Sequence, residues 1–167
     1  MAPVKEDELI AHETLDPTYL SIPDYVKSVT NNKAIKDSVL TPLELADALE
    51  KDAKAAMLLI GPISINDKPT LECEIADIKA WSFLSLYFAD KLRGATALQT
   101  YRQTKKPDQK QKALTLLKNA VTHWDNLIGV TKPHYKQAHS VPLGQKKFSW
   151  EIFREEVLRD IQIVQQE

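Results

Sequence analysis

The chain has 167 residues, 43% of them hydrophobic, and its 22 Lys and Arg against 23 Asp and Glu leave a formal net charge of −1. This length predicts one domain with one core, and the balanced charge disfavours nucleic acid and anionic membranes as partners. No apolar run approaches the ~18 residues of a membrane-spanning helix, and the first residues lack the apolar middle of a signal peptide. The single Cys73 cannot form an intramolecular disulfide.

The first part of the chain differs in pattern from the rest. Residues 1–40 have mixed polarity, and Asp16-Pro17 and Ile22-Pro23 interrupt any long helix. Only the stretch IPDYVKSV offers a short helical turn. We therefore predict that residues 1–40 form an extended arm or linker and that residues 41–167 form a helical bundle domain.

Two helices are predicted in the first half of this bundle. Thr41-Pro42-Leu43-Glu44 combines an N-cap hydroxyl, a proline at the first helical position and a carboxylate that closes a capping box, so a helix begins here and runs to Gly61. The next helix covers about 71–103, and its middle is apolar nearly all the way round, which is typical of a central helix. Gly94 within it indicates a close helix crossing or a kink.

Two further helices complete the prediction. Apolar residues recur at the helical period from 107 to 128, and Gly129 is expected to end that helix. A long polar loop follows, and the last helix is predicted to begin at Ser149, a good N-cap residue, and to run to the C-terminus. The sequence therefore predicts an all-α fold: an antiparallel bundle of four principal helices with an extended N-terminal arm.

Residue types used in catalysis are present without the spacing that catalysis needs. The four histidines have no partners at metal-ligand spacing, so no metal site is predicted. The chain has four glycines, and neither a Gly-x-Ser-x-Gly elbow nor a glycine-rich phosphate loop is present. Glu72, Glu74 and Asp77 suit the positive end of a helix dipole better than acid–base chemistry. We predict no catalytic residue and no cofactor.

Aromatic residues are the better candidates for a binding site. Five of them could form a platform for stacking on a sugar: Trp81, Tyr87, Trp124, Tyr135 and Trp150. Trp81 and Trp124 lie on apolar stripes and are expected to be buried. Tyr135 and Trp150 flank the long loop, and because loops commonly carry function, these two residues are the predicted ligand contacts.

Several segments together resemble a known kind of domain. From about Ile22 onward, the chain is similar to the helical C-terminal region of large bacterial polysaccharide-degrading enzymes, namely α-glucuronidase-like or hexosaminidase-like glycoside hydrolases. The segments that carry the resemblance are IPDYV, TPLELADALEKDAKAA, ADIKAWSFLSLYFADKLRGATAL, KALTLLKNAVTHWDNL and FSWEIFREEVLRDI. The resemblance implies that the catalytic barrel lies in a preceding region and that no acid or base is carried by this chain. It also implies a periplasmic or extracellular location.

Two functions from different classes are therefore expected. The first is a non-catalytic helical accessory or interaction domain of a larger glycan-active protein, which is not an enzyme on its own. Its partner would be the preceding catalytic region or a second copy of the chain, with carbohydrate as a ligand. The alternative is a free-standing small-ligand or carbohydrate-binding protein whose pocket lies between helices and is lined by Trp81, Tyr87, Asp90 and Arg93. Recognition of another protein through a helix face stays open as a third hypothesis.

Overall fold

The fold is all-α, as the sequence predicts. The structure is a computed structural model that describes residues 3–64, 69–136, 138–139 and 147–167. Among those residues, no helix combines the length and the apolar character that crossing a membrane requires. The helices are α1 (Glu6–Ala11), α2 (Ile22–Thr30), α3 (Pro42–Ile60), α4 (Pro69–Thr104), α5 (Pro107–His134) and α6 (Arg154–Gln166), with a 3₁₀ turn at Trp150–Phe153 and two-residue strands β1 (Ala138–His139) and β2 (Lys147–Phe148).

Helix α3 begins where the sequence predicts, and its capping box is formed. The Thr41 hydroxyl accepts from the Glu44 backbone N–H at 3.2 Å, and the Glu44 carboxylate accepts from the Thr41 backbone N–H at 2.8 Å. These two bonds satisfy backbone donors that have no partner inside the helix. Arg93 of α4 then joins the two helices, because its guanidinium lies 2.6 Å from both Asp47 and Glu50 of α3.

The long antiparallel pair α4 and α5 forms the centre of the molecule. Gly94 of α4 is buried where the helices approach most closely, since a Cβ atom at this position would lie 3.1 Å from Leu117 of α5. The predicted close crossing is therefore present. Strands β1 and β2 form an antiparallel ladder beyond the end of α5, with Ala138 opposite Phe148.

The predicted ends of the last two helices need correction. Helix α5 continues through Gly129 to His134, because Leu127 and Thr131 extend its buried face, and their burial outweighs the roughly 1 kcal/mol that a glycine costs in a helix. The final helix is preceded by the 3₁₀ turn, and Ser149 makes no side-chain capping bond.

The segment before residue 41 is not an extended arm. Ser21 caps α2 by accepting from the Asp24 backbone N–H at 3.3 Å, and Pro23 lies in the first turn, where a missing N–H costs nothing. Ile22 and Val26 are buried in the same apolar cluster as residues of α4, α5 and α6. The short helices α1 and α2 are therefore stabilised by the bundle that they cover.

Two apolar clusters make up the core. The first lies where α1 and α2 meet the bundle, and the second lies towards the β1–β2 end and is rich in aromatic residues. Fully or largely buried members of the second cluster are Ala80, Tyr87, Ala120, Trp124, Leu127, Phe153 and Val157. Partly buried residues that pack against this second cluster, Ile128, Phe148 and Trp150, line the candidate site.

Candidate functional site

An open pocket lies beside the aromatic cluster, between the C-terminal turn of α5 and the segment that leads into the 3₁₀ turn. The space between its walls is about 460 Å³ when the open solvent at its mouth is included. The sequence predicts that Tyr135 and Trp150 are ligand contacts, and the structure places both residues in the wall of this one pocket. The described lining residues are Ile128, Thr131, Lys132, Tyr135, Lys136, Phe148, Ser149, Trp150 and Glu151.

Trp150 is held in place by other aromatic residues. Its ring meets those of Trp124 and Phe148 edge to face, with centroids 5.6 and 5.3 Å away, and its carbonyl oxygen accepts from the Trp124 indole N–H at 3.2 Å. The Trp150 indole nitrogen is buried and has no hydrogen-bond partner among the described residues. A buried donor without a partner is uncommon in proteins, and a ligand in the pocket could reach this one only if the neighbouring side chains moved.

Tyr135 is 39% exposed and is oriented by a residue of the neighbouring helix. Its hydroxyl donates to an oxygen of Asp77 in α4 at 2.6 Å. Partial burial is the main cause that raises the pKa of the Tyr135 hydroxyl to about 12, and the hydrogen bond to Asp77 is the second. The hydroxyl therefore stays protonated at neutral pH, and the ring presents a fixed apolar surface at the pocket edge.

The rim of the pocket is polar and nearly balanced in charge. Lys132 and Glu151 form an ion pair of 3.2 Å across it, and Lys136 is exposed beside them. Such a pocket, with an aromatic wall and a few hydrogen-bonding groups at its edge, suits a ligand with one apolar face and several hydroxyls.

The predicted ligand residues Asp90 and Arg93 lie elsewhere, in a groove between α3, α4 and α5. Asp90 is 3.6 Å from the Arg93 guanidinium and 3.4 Å from the His123 imidazole. The groove is also lined by Glu50, Lys54, Leu86, Ala89 and Asn119. The two predicted residues thus converge, but Arg93 is already paired with three carboxylates of α3 and α4.

Trp81 and Tyr87 were predicted to line a pocket together with Asp90 and Arg93, but neither lines the groove between α3, α4 and α5. Tyr87 is 1% exposed and packs edge to face against Trp124. The expectation that Trp81 is buried is wrong, because this residue is 67% exposed, whereas Trp124 is 2% exposed as predicted. Helix α4 is apolar on more sides than its neighbours cover, so Trp81, together with Ile78 and Phe88, is left at the surface.

Sequence reasoning missed a buried charged cluster beneath the bundle surface. Lys91 of α4 is 1% exposed and pairs with Asp160 of α6, and its ammonium group is 3.7 Å from the Glu6 carboxylate. The Glu6 backbone N–H also donates to Asp160 at 2.9 Å. No sequence signal connects Glu6 with Asp160, because 154 positions separate them.

The remaining polar residues do not assemble into a metal centre within the part of the chain that the structure describes. No group of three or more His, Cys, Asp or Glu side chains is placed to hold an ion there. Cys73 is exposed near the start of α4. The side chain of His139 lies outside the described residues, as do residues 140–146 of the long loop.

The fold and site define an all-α helical domain with an open aromatic pocket at one end. No protein-family model and no curated protein sequence matches the chain. Among solved structures, it is similar to that of a GH138 enzyme targeting pectin rhamnogalacturonan II, with a TM-score of 0.64 and 16% sequence identity. The similarity covers 88% of this chain and 23% of that enzyme. At this identity the likeness shows the fold alone, and the chain spans less than a quarter of the length of that enzyme.

Proposed function

We propose that this chain is a non-catalytic helical accessory domain of a larger glycan-active protein. The observation that carries the proposal is the likeness just described: 88% of the chain is similar to 23% of an enzyme that targets a pectic polysaccharide. A domain that recurs as a fraction of a glycoside hydrolase has its simplest role beside a catalytic region, in packing against it or in binding part of its substrate.

We further propose that the pocket between Tyr135 and Trp150 contacts the glycan. Aromatic rings cover the C–H face of a sugar, and nearby polar groups bind its hydroxyls. Tyr135 supplies the exposed ring, and Trp150 supplies a second aromatic ring in the pocket wall. The ion pair of Lys132 and Glu151 adds both donors and acceptors at the rim.

Binding is tested by titrating the chain with rhamnogalacturonan II and other plant cell-wall polysaccharides, using calorimetry and tryptophan fluorescence. We expect saturable binding that Tyr135→Ala weakens by roughly tenfold, the effect of losing about 1.4 kcal/mol of ring contact. Tyr19→Ala is the matched control, because Tyr19 is 38% exposed, as Tyr135 nearly is, but does not line the pocket. It lies instead beside α2 and the start of α3. Trp150→Phe removes the indole N–H and keeps a ring in the aromatic cluster. The proposal would be contradicted if none of the polysaccharides bound, or if Tyr135→Ala and Tyr19→Ala lowered the affinity equally.

The proposal that the chain is non-catalytic is tested in the same samples by measuring the release of sugars. We expect no release of sugars when the isolated chain is incubated with polysaccharides that it binds. Reducing-end formation that grows with protein concentration would show that the chain is an enzyme. Loss of such activity in Asp90→Asn would then place it in the α3–α4–α5 groove.

The second candidate function is a small-ligand binder that uses this groove. One observation favours it: Asp90, Arg93, His123 and Glu50 converge between three helices instead of lying separately in solvent. Against it, Arg93 is committed to ion pairs that join α3 to α4, which is the arrangement of a structural clamp. The accessory domain is therefore the function that we favour.

A further inference from the structure

Trp81 is the most exposed aromatic residue in the described part of the chain, and its position connects it to the pocket. It lies on α4 one helical turn after Asp77, so both side chains share one face of the helix. Asp77 in turn accepts the hydrogen bond from Tyr135, which lines the pocket. The surface around Trp81 is thus continuous with the aromatic pocket through the Tyr135–Asp77 pair.

The charge of this surface restricts the ligand. Glu74 and Asp77 are both exposed, and they precede Trp81 on the same face of α4 by seven and four residues. Two carboxylates at this position repel an acidic sugar and accept hydrogen bonds from hydroxyl groups. Tyr135 occupies one oxygen of Asp77 and orients the carboxylate, which leaves a second oxygen with acceptor capacity.

We propose that Trp81 and Asp77 form an outer subsite for a neutral pyranose unit, continuous with the Tyr135–Trp150 pocket. The indole ring stacks on the C–H face of the sugar, and Asp77 accepts a hydrogen bond from one of its hydroxyls. This inference rests on the proposed glycan binding, and it assigns the pocket to one sugar unit and Trp81 to another unit of the same chain. The proposed ligand is therefore an oligosaccharide, with one sugar unit in the Tyr135–Trp150 pocket and another against Trp81.

The test compares neutral oligosaccharides of graded length, cut from pectin, with the corresponding methyl glycosides. We expect Trp81→Ala to weaken binding of the longer oligosaccharides by roughly tenfold and to leave methyl glycoside binding within about twofold. Trp81→Phe should restore most of the affinity, since a ring is retained, and Asp77→Asn should weaken the longer ligands as well. Leu58→Ala is the control, because Leu58 is 78% exposed on α3.

Iodide quenching gives an independent readout when the parent chain is compared with Trp81→Phe, since Trp81 is exposed, Trp124 is buried and Trp150 is half-buried in the pocket wall. Longer oligosaccharides should protect the part of the quenching that Trp81→Phe removes, and methyl glycosides should leave that part unchanged. If Tyr135→Ala weakens every ligand while Trp81→Ala changes none, the outer subsite is wrong and the proposed glycan binding stands. If no ligand binds, both proposals are wrong.

Discussion

Among single residues in the described part of the chain, Trp124 is the largest of the fully buried side chains. It is 2% exposed, meets Tyr87 and Trp150 edge to face at 4.8 and 5.6 Å, and donates its indole N–H to the Trp150 carbonyl. We predict that Trp124→Ala lowers the free energy of unfolding by about 3–5 kcal/mol, the usual cost of removing a large aromatic side chain from a core. Urea unfolding followed by circular dichroism measures this loss.

Trp81 provides the matched control for that substitution. Trp81→Ala removes the same atoms from a position that is 67% exposed on α4. Because no cavity forms, the free energy of unfolding should change by less than about 0.5 kcal/mol. Similar losses from the two variants would mean that Trp124 is not the packing residue that its burial indicates.

The same two residues show what a sequence pattern can predict. Trp124 lies on a stripe of apolar residues that the helical period of α5 identifies. Helix α4 is apolar on most sides near Trp81, so the period does not tell which of its sides another helix covers. The burial of Trp124 was therefore predictable and the exposure of Trp81 was not. Tyr135 and Trp150 were selected because they flank a loop, but their meeting in one pocket depends on α5 continuing past Gly129.

Among the helices, α5 contains a glycine, Gly129, whose replacement by alanine should stabilise the fold. Gly129 lies inside the helix, and a Cβ atom there would meet no other atom within 4 Å. We predict that Gly129→Ala raises the free energy of unfolding by about 0.5–1 kcal/mol, because alanine loses less backbone entropy in a helix. Thermal unfolding of the variant and the parent chain measures the difference.

Gly94 of α4 is the contrasting position for the same substitution. A Cβ atom here would lie 3.1 Å from Leu117 of α5 and 3.4 Å from the Glu6 carboxylate of α1, so it would meet two neighbouring helices. For Gly94→Ala, the steric conflict should therefore outweigh the favourable helix propensity of alanine, and the free energy of unfolding should fall. An equal gain at both positions would show that the α4–α5 crossing can open without cost.

The boundaries of the helices were predictable to different degrees for a physical reason. Thr41, Pro42 and Glu44 mark the start of α3 through local hydrogen bonds, so the sequence alone locates that end. Helix α2 does carry local signals, namely the Ser21 cap, Pro23 in its first turn and apolar residues at helical spacing. A helix of 9 residues is too short to be stable alone, so it forms because residues such as Val26 are buried against distant parts of the chain, which the local sequence does not identify.

In the whole molecule, one charged cluster joins the two ends of the chain to the centre. Glu6 of α1 and Asp160 of α6 both contact the ammonium group of Lys91 in α4, and all three side chains are almost fully buried. A buried charge without a partner is costly, so the cluster favours the one arrangement of α1, α4 and α6 that brings all three groups together. Sequence analysis could not predict this cluster, since its members are far apart along the chain.

This cluster links the stability of the fold to pH through Glu6. Burial raises the pKa of the Glu6 carboxyl from 4.5 to about 8, although Lys91 nearby acts in the opposite direction. Burial also raises the pKa of Asp160. Between pH 4.5 and about 8 the folded chain holds a proton that the unfolded chain has released, so unfolding is favoured as the pH rises through this window.

We therefore predict that the free energy of unfolding falls between about pH 5 and pH 8, with a slope of about 1.4 kcal/mol per pH unit for one proton. Glu6→Gln should flatten this dependence, because glutamine resembles the protonated acid and does not titrate. Glu8→Gln is the control on the same helix, since the Glu8 side chain is half exposed and pairs with Lys5 at the surface. Urea unfolding at a series of pH values gives the slope for each variant. A slope that persists in Glu6→Gln would assign the titration to another group and would remove Glu6 as the residue that couples α1 to the bundle.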